Sequence, residues 1–166
     1  MKYGDSMVKV SIGQDSHRFD FENTEKRLIL GGVEFDGIPL LGNSDADVVL
    51  HALTNAVSSI TGVNILGDIA DKICLEDGIT DSRVYLMEAL KHFNGVISHV
   101  SLSIECSMPK ISPKIPYMRK KIAVLLNVNE SAIGITATSG EGLTDFGKGL
   151  GIQCFCILTA VCDGAL

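Results

Sequence analysis

Residues Ser98–Cys106, SHVSLSIEC, alternate polar and apolar side chains from His99 onward. Successive strand residues point to opposite sides. Val100, Leu102, Ile104 and Cys106 therefore share one face, and Ser101, Ser103 and Glu105 the other. Such a pattern describes a strand with one face on a core. Before it, Asp81-Ser82-Arg83 opens a helix that stops near Asn94-Gly95, an asparagine-glycine end signal. After it, Pro109, Pro113 and Pro116 punctuate a loop, and Pro116 suits the first turn of a helix carrying Met118, Ile122 and Leu125-Leu126. Two more apolar runs, Ile133 to Thr138 and Gly151 to Val161, read as strands.

The same reasoning extends to the N-terminal half. Met7-Val8-Lys9-Val10-Ser11-Ile12 alternates as a half-buried strand. Arg27 to Val33 is an apolar run ended by Gly31-Gly32; it reads as a second strand that pairs with the first or forms a small hairpin. Val49, Leu53, Ala56 and Ile60 recur at helical spacing over Val48 to about Ile60. Ser44 or Asp45 is the expected N-cap, with Asp47 completing a capping-box-like pattern. Gly62 to Asp68 reads as a loop. The order is β-β-α-α-β-α-β-β, an α/β (α+β) fold in which helices cover one face of a mixed sheet.

At 166 residues the chain fits one domain, 1–166, with no repeat, low-complexity segment or long linker. Apolar residues make up 46% and mean hydropathy is +0.28, which suggests apolar surface buried between subunits. A net charge of -6 with no basic run argues against nucleic-acid binding. The N-terminus, MKYGDSMVKV, lacks a signal-peptide core, and no apolar run is long enough for a membrane span. Five cysteines, none in a CxxC arrangement, argue against a thiolate zinc site and for a reducing, cytoplasmic setting.

Chemistry concentrates in a few places. Asp15 and His17 stand two apart after the first strand, so continued extension aims both at one point. They are either two metal ligands or a surface pair. His51 lies on the first long helix; with Asp15 and His17 it makes an Asp-His-His set, the three-ligand pattern of a catalytic zinc with an open position. Spacing alone does not establish that the three meet. Asn43-Ser44-Asp45 precedes a helix whose free N–H groups could hold a phosphate, although taken alone simple capping is the favoured explanation. Asp68 follows a glycine, where a carboxylate can accept hydrogen bonds from a sugar diol or merely close a turn. Thr136 to Gly142, TATSGEG, offers amides, hydroxyls and a carboxylate for a diphosphate and its cation, or is a Gly-rich connection.

Several stretches together resemble the 2-C-methyl-D-erythritol 2,4-cyclodiphosphate synthase family, from about Val8 to Leu158. They are Asp15-Ser16-His17, Gly31-Gly32-Val33, Ser44 to Thr54 (SDADVVLHALT), Leu66-Gly67-Asp68-Ile69, Pro109-Lys110, Ile115 to Arg119, and Ala137 to Glu141. The resemblance implies a homotrimer with active sites between subunits. It implies zinc on Asp15, His17 and His51, and a second divalent ion, Mg²⁺ or Mn²⁺, on Glu141. It implies a nucleotide-diphosphate substrate that cyclises with loss of CMP. Asn43 and Ser44 would meet the 2-phosphate or erythritol part. Asp68, with Ile69 and Ala70 beside it, would hold the ribose, and Asp77 or Glu76 the erythritol. Cys106, Pro109 and Lys110, with Ala137 to Ser139, would line the cytosine pocket in the neighbouring subunit, with Thr138 and Ser139 near the α-phosphate. Ser44, Thr138 and Glu141 are thus the implied catalytic set.

The chain also departs from the family pattern. Asn43 stands where the family has histidine, and the loop Ile73 to Gly78 is shorter. Gly142 replaces a lysine. Lys148 replaces an arginine that faces the trimer axis, and keeps the charge without the fork geometry. Gln14 replaces an aromatic of the same central cavity. A metal-dependent phosphohydrolase and a noncatalytic nucleotide-binding trimer are the rival readings.

Overall fold

The computed structural model describes residues 6–23 and 25–163. The N-terminal residues 1–5, part of the stretch read above for a signal peptide, lie outside the described residues. Among the described residues six strands and four α-helices follow in the order β1 Ser6–Arg18, β2 Leu28–Leu30, β3 Val33–Phe35, α1 Val48–Thr61, α2 Asp68–Asp71, α3 Ser82–Leu90, β4 Val96–Glu105, α4 Ile115–Leu126, β5 Ile133–Thr138 and β6 Gly151–Asp163. The main sheet runs β1-β6-β4-β5. β6 is antiparallel to both β1 and β4, and β4 is parallel to β5, so the sheet is mixed. The expected alternation in β4 holds: Val100, Leu102, Ile104 and the following Cys106 are buried.

Several expectations are decided or corrected. Of the two alternatives for the Arg27–Val33 run the small hairpin is the one formed: β2 turns through Gly31-Gly32, both at positive φ, and pairs with β3 rather than with β1. The loop from Gly62 ends where expected, at Asp68, which opens α2; the stretch Ile73 to Gly78, read as a loop, instead carries most of a wide π-type turn, Lys72–Glu76. α3 stops at Leu90, short of Asn94-Gly95.

The N-cap of α1 is Asp47, not Ser44 or Asp45. Ala46 at φ 56° breaks the helical path just before it. Asp47 Oδ1 accepts N–H bonds from Val49 and Leu50 and a third from Gly31, while Oδ2 accepts that of Gly32. One fully buried carboxylate thus ties the hairpin turn to the helix start. Burial raises its pKa to about 6, against the pull of those N–H donors.

α1 lies on β1 and β6. A Cβ on Gly13 would fall 2.0 Å from the Ala52 carbonyl oxygen and 2.4 Å from the Ala56 nitrogen. Only glycine lets helix backbone rest directly on the strand here. Ser11 Oγ donates to Ala56 O and Asn55 Nδ2 to Gln14 O, one on each side of this contact. The opposite face of the sheet carries apolar side chains without cover: Val8, Val10 and Ile12 are 61–66% exposed, and their β6 neighbours Phe155, Ile157 and Val161 are 36–47% exposed.

Candidate metal centre

β1 stays extended through Arg18, so Asp15 and His17 point to the same side, the side α1 covers. Gly13 sets the depth of α1, and His51, in the first turn of that helix, then reaches the strand. His51 Nδ1 lies 2.9 Å from Asp15 Oδ2, and His17 Nε2 lies 3.1 Å from the same oxygen. The two histidine nitrogens are 3.4 Å apart. These residues form the one group of three or more metal-ligating side chains among the described residues. Three donors at zinc–ligand lengths of about 2.0–2.2 Å in a tetrahedral arrangement are separated by about 3.3 Å, which is close to this triangle. The donor set fits a divalent metal ion.

Each ligand is held from behind. His17 Nδ1 donates to Leu41 O at 2.8 Å, which turns Nε2 toward Asp15. Lys26 Nζ donates to Leu40 O and Gly42 O and so steadies that carbonyl's segment. On the other side His51 Nε2 lies 2.8 Å from Ser82 Oγ, whose hydroxyl bonds to Asp45 Oδ1. None of Ser82, Asp45, Lys26 or Gly13 was assigned a site role from the sequence. Gly13 alone carried a local signal: a glycine two residues before Asp15 on the same strand face marks close backbone approach.

Burial pushes the Asp15 carboxyl up, but bonds to His17 and His51 and their charge outweigh it and bring the pKa down to about 2. Burial lowers His17, and the Asp15 hydrogen bond and charge more than reverse this, leaving it raised. Asp15 and His17 therefore form an ion pair along one edge of the triangle.

The triad opens on a cavity of about 360 Å³ lined also by Asn43, Ser44, Gly67, Ala70 and Tyr85. Asn43 and Ser44 are thus brought to the metal ligands. Of the two readings of the α1 N-terminus, capping is the one formed: Asp47 occupies the amides of Val49 and Leu50. Ser44 Oγ accepts the Ala46 N–H, which leaves its own proton for a ligand. Asp68 and Ile69 open α2 at the exposed edge, and Asp77 lies exposed beyond the π-type turn.

A second cavity, about 410 Å³, is lined by Cys106, Pro109, Lys110, Ala137, Thr138 and Ser139 with their neighbours. It holds the residues expected at a cytosine pocket and none of the triad. Glu141 lines neither cavity; it is exposed, in the left-handed region at φ 50°, with Oε1 3.3 Å from Ser139 Oγ. Lys148 is exposed beside Asp145.

The model of the YgbB family matches residues 8–161. The chain is 53% identical to the 2-C-methyl-D-erythritol 2,4-cyclodiphosphate synthase of Chlamydia felis, over 93% of this chain and 90% of that one. It is 54% identical to the enzyme of the same name from Chlamydia caviae, over 92% and 89%. Among solved structures it resembles the Plasmodium falciparum IspF–CDP complex, with a TM-score of 0.80 at 26% identity, over 95% of this chain and 97% of that one.

Proposed function

Because the chain belongs to the YgbB family, we propose that it converts 4-diphosphocytidyl-2-C-methyl-D-erythritol 2-phosphate to 2-C-methyl-D-erythritol 2,4-cyclodiphosphate and CMP, a phosphorus–oxygen lyase step in non-mevalonate isoprenoid synthesis. An oxygen of the 2-phosphate bonds to the β-phosphorus. The bond from that phosphorus to the bridging oxygen breaks, its electron pair leaves with CMP, and no water is consumed. The observation that carries this reading is the convergence of Asp15, His17 and His51 at the wall of a cavity shared with Asn43 and Ser44.

The substrate brings its own nucleophile, so no activated serine or cysteine is required. The need is to neutralise and align two phosphates that repel each other. On this reading zinc sits on Asp15, His17 and His51, and Mg²⁺ or Mn²⁺ on Glu141; such ions polarise phosphoryl oxygens and neutralise developing charge. Ser44 donates its free proton, and Asn43 its amide, to the 2-phosphate or erythritol end. Asp68 accepts from the ribose hydroxyls beside Ile69 and Ala70, and Asp77 faces the erythritol. Cys106, Pro109, Lys110, Ala137 and Ser139 enclose the base, Thr138 stands at the α-phosphate, and Lys148 lies toward the assembly axis.

Two observations support a homotrimer with sites between neighbours. The triad and the 106–139 cavity are separate on one chain, and the outer sheet face is apolar and bare. Buried free thiols at Cys74, Cys106, Cys154, Cys156 and Cys162 favour a cytoplasmic setting. No helix among the described residues is long and apolar enough to cross a membrane.

The test is product analysis by ³¹P NMR with the purified protein, the substrate and Mg²⁺, with and without a zinc chelator. A cyclic diphosphate plus CMP, lost on chelation, is the expected result. CMP with only acyclic phosphates would make the protein a hydrolase and overturn the proposal.

A further inference from the structure

The segment from Ser139 to Leu150 leaves the end of β5 and returns at the start of β6. β4 lies between those two strands in the sheet, so the segment passes over the end of β4. The last residue of β4 is Glu105, paired with Thr138 on one side and with Gln153 on the other. Its half-buried side chain therefore stands beneath the crossing, between the two roots of the segment.

A directed set of bonds ties the crossing to that carboxylate. The Gly147 N–H donates to Thr144 Oγ1 at 3.0 Å, and the Thr144 hydroxyl donates to Glu105 Oε1. A carboxylate only accepts, which fixes the direction. The same oxygen also presses on Gly140, where a Cβ would fall 2.1 Å from Glu105 Oε1 and 3.2 Å from Gly147 Cα. Gly140 and Gly147 thus close on each other over Glu105. Between Gly140 and Gly142, at φ 67° and 71°, stands Glu141 at φ 50°. Glycine adopts that region freely, whereas a glutamate stays there only where its surroundings impose it. Here the Gly140 N–H donates to Thr138 Oγ1 at 3.2 Å and the Leu143 N–H to Gly140 O at 2.9 Å. Glu105 fixes this turn from below at Gly140 and Thr144.

We infer that Glu105 is a positioning residue: it holds Glu141 in its left-handed conformation and so sets where the second divalent ion sits. The inference rests on the proposed role of Glu141 for the ion, though not for the conformation. Glu105 works here as an acceptor rather than as a charge. Glu105→Gln keeps an oxygen for the Thr144 hydroxyl and should preserve the turn. Glu105→Ala removes the acceptor and Thr144→Val the donor, so both should release it. The two act through one bond, so the double variant should be little worse than Glu105→Ala alone.

Two readouts on the full chain test it. Hydrogen exchange over residues 139–150 needs no substrate. It should quicken in Glu105→Ala and Thr144→Val and keep the wild-type rate in Glu105→Gln. The Mg²⁺ concentration for half-maximal turnover of the diphosphocytidyl substrate should rise about 10–100-fold in the first two, the usual effect of losing a partner that orients a metal ligand, and stay within about 3-fold of wild type in Glu105→Gln. Zinc affinity at the separate triad should not change in any of them.

Wild-type exchange and Mg²⁺ response in Glu105→Ala and Thr144→Val overturn the inference. So does a Glu105→Gln protein as impaired as Glu105→Ala while Thr144→Val is unaffected, since Glu105 would then be a direct ligand of the ion. Thr144 is exposed, and Thr144→Val decides the question should Glu105→Ala fail to fold. A wild type without Mg²⁺-dependent turnover sinks the proposed function, and the exchange pattern then decides by itself whether Glu105 holds the turn.

Discussion

Gly13→Ala tests whether the metal centre depends on how closely α1 rests on β1. The added Cβ would stand 2.0 Å from Ala52 O and 2.4 Å from Ala56 N, and Cβ contacts under 3.0 Å are essentially never seen. Both atoms are helix backbone and cannot rotate aside. α1 must therefore recede by about 1 Å, given that cores have no slack to absorb the overlap. Three bonds span this gap: Ser11 Oγ to Ala56 O at 2.7 Å, His51 Nδ1 to Asp15 Oδ2 at 2.9 Å, and Asn55 Nδ2 to Gln14 O at 3.0 Å. Opened by that distance they reach about 3.7–4.0 Å, outside hydrogen-bond range. Overpacking costs about 1–3 kcal/mol, and each lost bond adds about 1 kcal/mol. The expected loss is roughly 4–6 kcal/mol, or about 8–24 °C in Tm for a chain of this size. Urea unfolding at fixed chain concentration measures the stability and chelator competition the zinc affinity, which should fall at least 10-fold as His51 leaves Asp15. Gly62→Ala is the comparison. It sits at φ 75° with nothing within 4 Å of its new Cβ, so it should cost about 1 kcal/mol of backbone strain and leave zinc affinity alone. A Gly13→Ala protein within about 0.5 kcal/mol of wild type, with zinc affinity intact, would refute the reasoning.

Three other outcomes follow from the same geometry. In metal-free protein the Asp15 pKa is lowered to about 2, so its stabilisation is present above 3.8 and lost as pH falls toward 2; that of His17 is raised, so its stabilisation is present below 6.5 and lost as pH rises through the raised value. Asp15→Asn should accordingly lower Tm most between pH 4 and 6.5 and progressively less on either side, as read by thermal melts in chelator. Val10→Asp places a charge on the bare sheet face at a residue 66% exposed in the single chain. Sedimentation should show the proposed homotrimer replaced by folded monomer, and an oligomer unchanged from wild type would remove this face from the interface. Glu141→Gln removes the charge proposed to hold the second ion and should raise the Mg²⁺ concentration needed for half-maximal turnover about 10-fold or more; a superimposable Mg²⁺ titration would count against that assignment.

Reading period alone placed β4, β5, β6, α1 and α4 well, because each carries a run long enough to count. Asp15 and His17 were legible as a pair for the same reason: a strand repeats every two residues. Their meeting with His51 was not, since it depends on a helix resting on Gly13, a contact made across the fold. The cap of α1 failed for a related reason. Ser44, Asp45 and Asp47 all have capping side chains, and local rules favour the first two. The choice is made by Gly31 and Gly32, whose amides reach Asp47 from 16 and 15 residues away. The π-type turn Lys72–Glu76 has no apolar period and was invisible.

β1 reverses the usual meaning of an amphipathic strand. Its apolar residues Val8, Val10 and Ile12 face outward, while Ser11, Gly13, Asp15 and His17 face the helix. Period predicted the strand, and the ordinary rule of apolar-in would have turned it over. Two requirements oppose that rule here. A helix backbone seated on the strand leaves room only for small side chains at Ser11 and Gly13, and a metal centre needs its ligands on the side that α1 covers. The apolar side is then left for another surface. A strand built this way is stable to association and costly to expose, since each large apolar side chain left in water forgoes about 1.5–3 kcal/mol. The same feature that assembles the ligands within one chain thus also supplies the pressure for chains to pack against each other.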